Sequence, residues 1–195
     1  MKDALIILFK NPLPGKVKTR IAKDLGDTKA LEVYHKLLSH TLSITKELPV
    51  KKYLYYGFFI DEKDQWESEV YQKRLQVPGD LGDRMSIAFQ EVLLNHDRVV
   101  IIGSDCIELS SKILLEAFDS LKKNDFVIGP TFDGGYYLLG MNAFRPEVLQ
   151  DISWSSEKVY TQTTSKIESL GLSFASLRKL HDVDYIEDCE RFNLL

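Results

Sequence analysis

The sequence predicts an α/β protein in three layers, a mixed but mostly parallel sheet with helices on both faces. Three observations carry this. Short unbroken apolar runs such as Ala4–Phe9 and Val99–Ile102 read as strands covered on both sides. Segments with helical apolar spacing alternate with them. Late in the chain, two strand-like runs, Phe126–Gly129 and Tyr136–Met141, are joined by Asp133-Gly134-Gly135, which adds an antiparallel pair.

Taken in order, Ala4–Phe9 is the first strand, and a cationic loop with two prolines follows from Lys10 to Arg20. A helix is expected from about Thr28 to Leu48, with Leu31, Tyr34, Leu37, Leu38 and Leu42 on one face and Asp27 or Thr28 as cap. Lys52–Phe59 is aromatic-rich and strand-like, and Arg74–Val77 is a weaker strand. After the loop Pro78–Gly82, a helix starts near Asp83. Ser110 caps another beyond the Val99–Ile102 strand. Lys158–Leu170 reads as helix, Leu172–Leu177 as extended chain and Tyr185–Phe192 as a short final helix. At 195 residues without repeat or linker, residues 1–195 are expected to form one domain.

Composition narrows the function. Hydrophobic residues make up 44% and charged residues 28%, as in an ordinary globular protein, and the formal net charge is −4. That argues against a nucleic-acid binder, which needs a net basic face. Cys106 and Cys189 form no disulfide framework or zinc spacing, so a reduced, cytoplasmic setting is expected. The six-residue apolar start is too short for a signal peptide, and no run is long enough to span a membrane. His35, His40, His96 and His181 suggest no nucleophilic triad.

In open α/β sheets, ligands bind beyond the carboxyl ends of the strands. The segments after Phe9, Gly103 and Gly129 are therefore expected to meet at one cleft. The first carries Pro14, Gly15, Lys16, Lys18 and Arg20, a stiff cationic loop suited to a polyphosphate, although GxxxxGK[ST] is absent. The second carries Ser104 and Asp105. A carboxylate at a strand end suits Mg²⁺, and a plain turn fits equally, except that Ser110 already caps the next helix. The third carries Asp133, Gly134, Gly135 and Tyr136, which fit both a tight hairpin turn and a seat for an acceptor. Asp182 and Asp184 are candidates to complete a metal site with Asp105. Asp184-Tyr185-Ile186-Glu187 also fits a capping box. Gly79, Asp80, Gly82 and Arg84 read as a ligand-facing loop or a helix cap, and Trp154 as a stacking platform or half-buried packing.

Together these motifs resemble the DUF2064 family. They are Lys10-x-Pro12-x-Pro14-Gly15-x-Val17-Lys18-Thr19-Arg20, Gly79-Asp80-Leu81-Gly82-x-Arg84, Gly103-Ser104-Asp105-Cys106, Gly129-Pro130-x-x-Asp133-Gly134-Gly135-Tyr136-Tyr137-Leu138-Leu139-Gly140 and Asp182-Val183-Asp184. The family belongs to the glycosyltransferase-A (GT-A, nucleotide-diphospho-sugar transferase) superfamily. A more distant likeness is to the molybdenum cofactor and 2-phospho-lactate guanylyltransferases. Ile107 and Tyr185 depart from the family pattern, which has Pro and Thr there.

The resemblance implies a Rossmann-like α/β/α sandwich, a nucleotide over the first loop and a divalent metal, Mg²⁺ or Mn²⁺. The leading expectation is a nucleotidyltransferase joining a nucleoside triphosphate to a small phosphorylated or phosphonate acceptor. In it Lys18 and Arg20 meet the triphosphate, Asp105 with Asp182 or Asp184 holds metal, and Asp133 with its glycines seats the acceptor. The alternatives are a glycosyltransferase using a nucleotide-sugar and a nucleotide-binding protein without turnover.

Overall fold

The computed structural model describes residues 2–195. Its strands are β1 (Asp3–Phe9), β2 (Lys51–Tyr56), β3 (Tyr71–Leu75), β4 (Arg98–Ile102), β5 (Phe126–Pro130), β6 (Tyr136–Met141) and β7 (Phe174–Ser176). Its helices are α1 (Thr19–Thr45), α2 (Leu81–Leu93), α3 (Ser111–Ser120), α4 (Val159–Ser169) and α5 (Ile186–Arg191). The strands form one sheet in the order β3-β2-β1-β4-β6-β5-β7. Strand β6 runs antiparallel between β4 and β5, and the other recorded pairs are parallel.

Strand β1 shows why the sheet is covered twice. Leu5, Ile7 and Phe9 pack among the side chains of α1 and α3, including Val33, Leu37, Ile113 and Phe118. Ala4, Ile6 and Leu8 face the opposite way, toward Met85, Phe89 and Val92 of α2 and Ile167 of α4. Alternation along a strand places neighbouring residues on opposite faces, so an unbroken apolar run is what a doubly covered strand needs. Each buried side chain of this size contributes roughly 1.5–3 kcal/mol.

Topology positions the cleft. From β1 the chain moves outward through β2 to β3, then returns through α2 to β4 on the other side of β1. The order reverses between β1 and β4, and the loops leaving their carboxyl ends diverge around a crevice.

Several boundaries differ from the sequence reading. Helix α1 starts at Thr19, nine residues earlier than expected, and passes a break at Gly26 (φ 80, ψ 162). Fully buried Ile21 anchors this first stretch and overrides the local breaker. Strand β2 ends at Tyr56, because Asn11 holds the Phe58 and Phe59 backbone away from the sheet. Strand β3 lies three residues earlier than expected. Asp80 caps α2, and Asp83 is its capping-box partner. At α5 the carboxylate of Asp188 accepts from the Asp184 and Tyr185 amides, so the expected Asp184–Glu187 box does not form.

Candidate active site

The loop after β1 is held rigidly. The Tyr34 hydroxyl, reaching from α1, donates to the Lys10 carbonyl at 2.9 Å and accepts from the Lys10 amide at 3.1 Å. It also lies 3.3 Å from the Ser104 hydroxyl, which ties the β1 loop to the β4 loop. Buried Asn11 accepts from the Phe58 amide at 3.0 Å and donates to the Phe59 carbonyl at 2.9 Å. Lys18 ends the loop in the left-handed region (φ 46, ψ 43). That conformation is uncommon for a residue with a Cβ and persists where surroundings over-determine it.

The surroundings of Lys18 do so. Its side chain is 4% exposed and its ammonium is ringed by three oxygens. These are the Asp105 carboxylate at 2.7 Å, the Val183 carbonyl at 2.7 Å and the Asp184 carboxylate at 3.2 Å. Burial alone lowers an ammonium's pKa, but Asp105 and Asp184 outweigh it and hold Lys18 above the usual lysine range. The other Asp184 oxygen accepts from half-exposed Arg20 at 2.9 Å, and the Arg20 guanidinium lies over the Tyr185 ring.

The carboxylates arrive from far along the chain. After β7, Leu177 and Leu180 bond to the Ile128 and Pro130 carbonyls, and Phe132 bonds back to Leu180. The segment is thereby led along β5, until the Val183 amide donates to the Asp105 carbonyl at 2.9 Å. Asp182 is left facing the cleft beside Asp105. Burial first, and then the Asp105 charge, push its carboxyl up to about 8, with Lys18 pulling the other way.

The cleft has a volume of about 490 Å³. Its charged lining is Lys10, Lys18, Arg20 and Arg84 against Asp105, Asp182 and Asp184. Arg84 comes from the first turn of α2, and its Nε is buried with no hydrogen-bond partner among the described residues. Gln76 donates to the Phe9 and Tyr55 carbonyls, which fixes its amide at the cleft wall.

Of the residues expected to form a site, Lys18, Arg20, Arg84, Ser104, Asp105, Tyr136, Asp182 and Asp184 line this cleft. Pro14, Gly15 and Lys16 are exposed and do not line it. Gly79, Asp80 and Gly82 build the start of α2 instead. A Cβ at Gly82 would lie 2.6 Å from the Trp154 indole nitrogen, so Trp154 is packed there, edge-on to Tyr136. Asp133 accepts from Thr131 and the Gly135 amide within its own turn. With Gly134 it lines a separate open depression beside Glu157, Lys158 and Gln162. Gly134 (φ +90) abuts the Glu157 backbone, where a Cβ has no room. Thus of the third loop only its end, at Tyr136, meets the other two in the cleft; its turn lies in the neighbouring depression, and the carboxyl-terminal segment supplies Asp182 and Asp184. Tyr34 and Gln76 are cleft residues that the motif reading missed, while Lys10, the first cation of the motif after β1, lines the cleft as well. Tyr34 reads only as one more apolar position of α1, and Gln76 as part of a weak strand.

Among the described residues, no three His, Cys, Asp or Glu side chains are arranged to hold a metal. Asp105 and Asp182 nonetheless form a suitable pair. One Asp105 oxygen serves Lys18, while the other Asp105 oxygen and the Asp182 carboxylate have no hydrogen-bond partner among the described residues. Mg²⁺ is commonly held by one or two carboxylates together with substrate phosphates, not by a complete protein cage. Asp184 is committed to Lys18 and Arg20.

The comparisons agree with this fold. The profile of a family described as "Uncharacterized protein conserved in bacteria (DUF2064)" matches residues 41–156. A "putative nucleotide-diphospho-sugar transferase" from Desulfovibrio desulfuricans G20 is 32% identical, with a TM-score of 0.89 over 98% of this chain and 87% of that one. Rv0371c from Mycobacterium tuberculosis H37Rv, solved with manganese, is 13% identical at TM-score 0.60, covering 98% of this chain and 97% of that one. CMP:2-keto-3-deoxy-manno-octonic acid synthetase, solved with CTP, is 10% identical at TM-score 0.56, with 98% and 97% coverage. The last two show likeness of fold alone. No curated protein matches the chain.

Proposed function

The chain belongs to the DUF2064 family, and from that premise and its cleft we propose that it is a divalent-metal-dependent nucleotidyltransferase. It would join a nucleoside triphosphate to a small phosphorylated or phosphonate acceptor and release pyrophosphate. One observation carries the reading. At the sheet's switch point, a protein of net charge −4 gathers four cations, Lys10, Lys18, Arg20 and Arg84, against three carboxylates. A cationic crevice in an acidic protein focuses polyanions into it.

The roles follow from each group's commitments. Arg20 keeps donors beyond its bond to Asp184, and Arg84 reaches the cleft wall from the first turn of α2, so these two would contact phosphate oxygens. They would stabilise charge as pyrophosphate departs. Lys18 has its ammonium surrounded by protein oxygens and would orient Asp105 and Asp184. Tyr34 would keep the Lys10 backbone and Ser104 in register across the cleft. Asp105 and Asp182 would hold the metal, Mg²⁺ or Mn²⁺. When bound, such an ion would act as a Lewis acid, drawing negative charge from the substrate's phosphate groups. The acceptor would enter from the open side of the cleft, and the depression at Asp133 and Gly134 is the candidate seat for its distal part.

The likeness to the 32%-identical Desulfovibrio protein, described as a nucleotide-diphospho-sugar transferase, favours a second reading, glycosyl transfer from a nucleotide-sugar. Incubation with Mg²⁺ and each nucleoside triphosphate or nucleotide-sugar, followed by mass spectrometry, separates the two. Pyrophosphate marks the first; nucleoside diphosphate formed from a nucleotide-sugar marks the second.

A further inference from the structure

We infer that Lys18 is a built-in counter-cation that makes metal binding conditional on the nucleotide. Its ammonium lies 2.7 Å from Asp105 and 3.2 Å from Asp184, inside the carboxylate cluster where a divalent ion would otherwise be drawn. It is not a mobile surface lysine. The side chain is 4% exposed, the Val183 carbonyl holds its third side, and the backbone adopts a left-handed conformation to deliver it.

Two consequences follow from charge alone. A divalent ion approaching the nucleotide-free cleft meets Lys10, Lys18, Arg20 and Arg84 as well as the three carboxylates, so no net negative charge attracts it. Asp184 is also withdrawn as a ligand by its bonds to Lys18 and Arg20. A triphosphate reverses the balance, adding negative charge and hard oxygen ligands beside Asp105 and Asp182. The order of assembly is then nucleotide first or metal–nucleotide together, which avoids loading the carboxylates with an ion before a substrate is present. At separations near 4 Å, one unit charge changes an ion's binding by far more than tenfold unless solvent screens it.

The inference rests on the nucleotidyl-transfer reading only in naming what brings the metal in, and its core can be tested without nucleotide. The probe is Mn²⁺, titrated by electron paramagnetic resonance into the full chain, the charge-removing K18M and the charge-keeping K18R. The expected result is that K18M binds Mn²⁺ at least about tenfold more tightly than the parent, while K18R does not. Equal or weaker Mn²⁺ binding by folded K18M would overturn the inference, whatever the reaction proves to be. Should K18M fail to fold, the parent alone decides. After subtraction of the Mn²⁺ that the triphosphate chelates in solution, protein-bound Mn²⁺ affinity that rises at least about tenfold with a non-hydrolysable triphosphate supports the inference, and tight binding without nucleotide overturns it. Absence of binding by every triphosphate would instead count against the proposed function, leaving the K18M comparison standing.

Discussion

Lys18 and Asp184 lie 166 positions apart in the chain, yet their charged groups are 3.2 Å apart, and with Asp105 they join three loops into one cleft wall. This cluster is structural as well as functional. In the sequence Ser110 is the expected cap of the next helix, which leaves Asp105 no capping task, and Ser110 does cap it. The geometry adds a cost, because Asp105 partners a buried ammonium. Asp105→Asn should therefore lower stability by about 1–2 kcal/mol, discounted for the partial exposure of Asp105. Chemical denaturation measures it, and an unchanged midpoint and slope would count against the ion pair.

Arg20 and Arg84 carry the polyanion contacts in this account. Arg20→Ala and Arg84→Ala should each weaken triphosphate binding roughly tenfold to a hundredfold, the cost of about 1.5–3 kcal/mol for a charge-assisted bond. Calorimetric titration of each variant tests this. Arg84→Ala should leave stability nearly unchanged, because its Nε has no partner to lose.

How much of this was legible in the sequence depends on the range of the interaction. Strands β1 and β4 could be read directly, because a doubly buried strand must be apolar throughout. The cations after β1 and Asp105 after β4 could be placed at strand ends for the same reason. The start of α1 could not, because the run Thr19–Gly26 is polar apart from Ile21, Ala22 and Leu25, and a tertiary anchor decides it. Nor could the division of labour among Asp105, Asp182 and Asp184. All three are carboxylates near apolar segments; which of them faces Lys18 depends on how β7 leads the chain past β5.

Asp182 should give metal-free protein a recognisable pH dependence. Its carboxyl is raised from 3.8 to about 8 in the folded state, so between these values the folded chain keeps a proton that the unfolded chain releases. Folding stability from this group is then lost as pH rises through that window and is constant above it. Asp182→Asn should flatten the slope, and the variant should gain on the parent toward pH 8. Denaturation series across the window, with chelator present, compare the two. Parallel slopes would mean that Asp182 is ionised in the cleft.

Tyr34→Phe removes one hydroxyl that serves the Lys10 amide, the Lys10 carbonyl and Ser104. A loss of about 1–3 kcal/mol is expected, because buried groups are left unpaired. Amide exchange should accelerate at Lys10 ahead of the strand core. Exchange unchanged at Lys10 would show that the loop is held by other contacts.

The most direct measurement of the central claim is product analysis with the purified chain, Mg²⁺ and nucleoside triphosphates, each with a panel of phosphorylated and phosphonate acceptors. The account predicts that pyrophosphate and a nucleotidylated acceptor appear in equal amounts, that both fall in Arg84→Ala at subsaturating triphosphate, and that both are lost in Asp105→Asn. Turnover of a nucleotide-sugar to nucleoside diphosphate, with every triphosphate left intact, would contradict it.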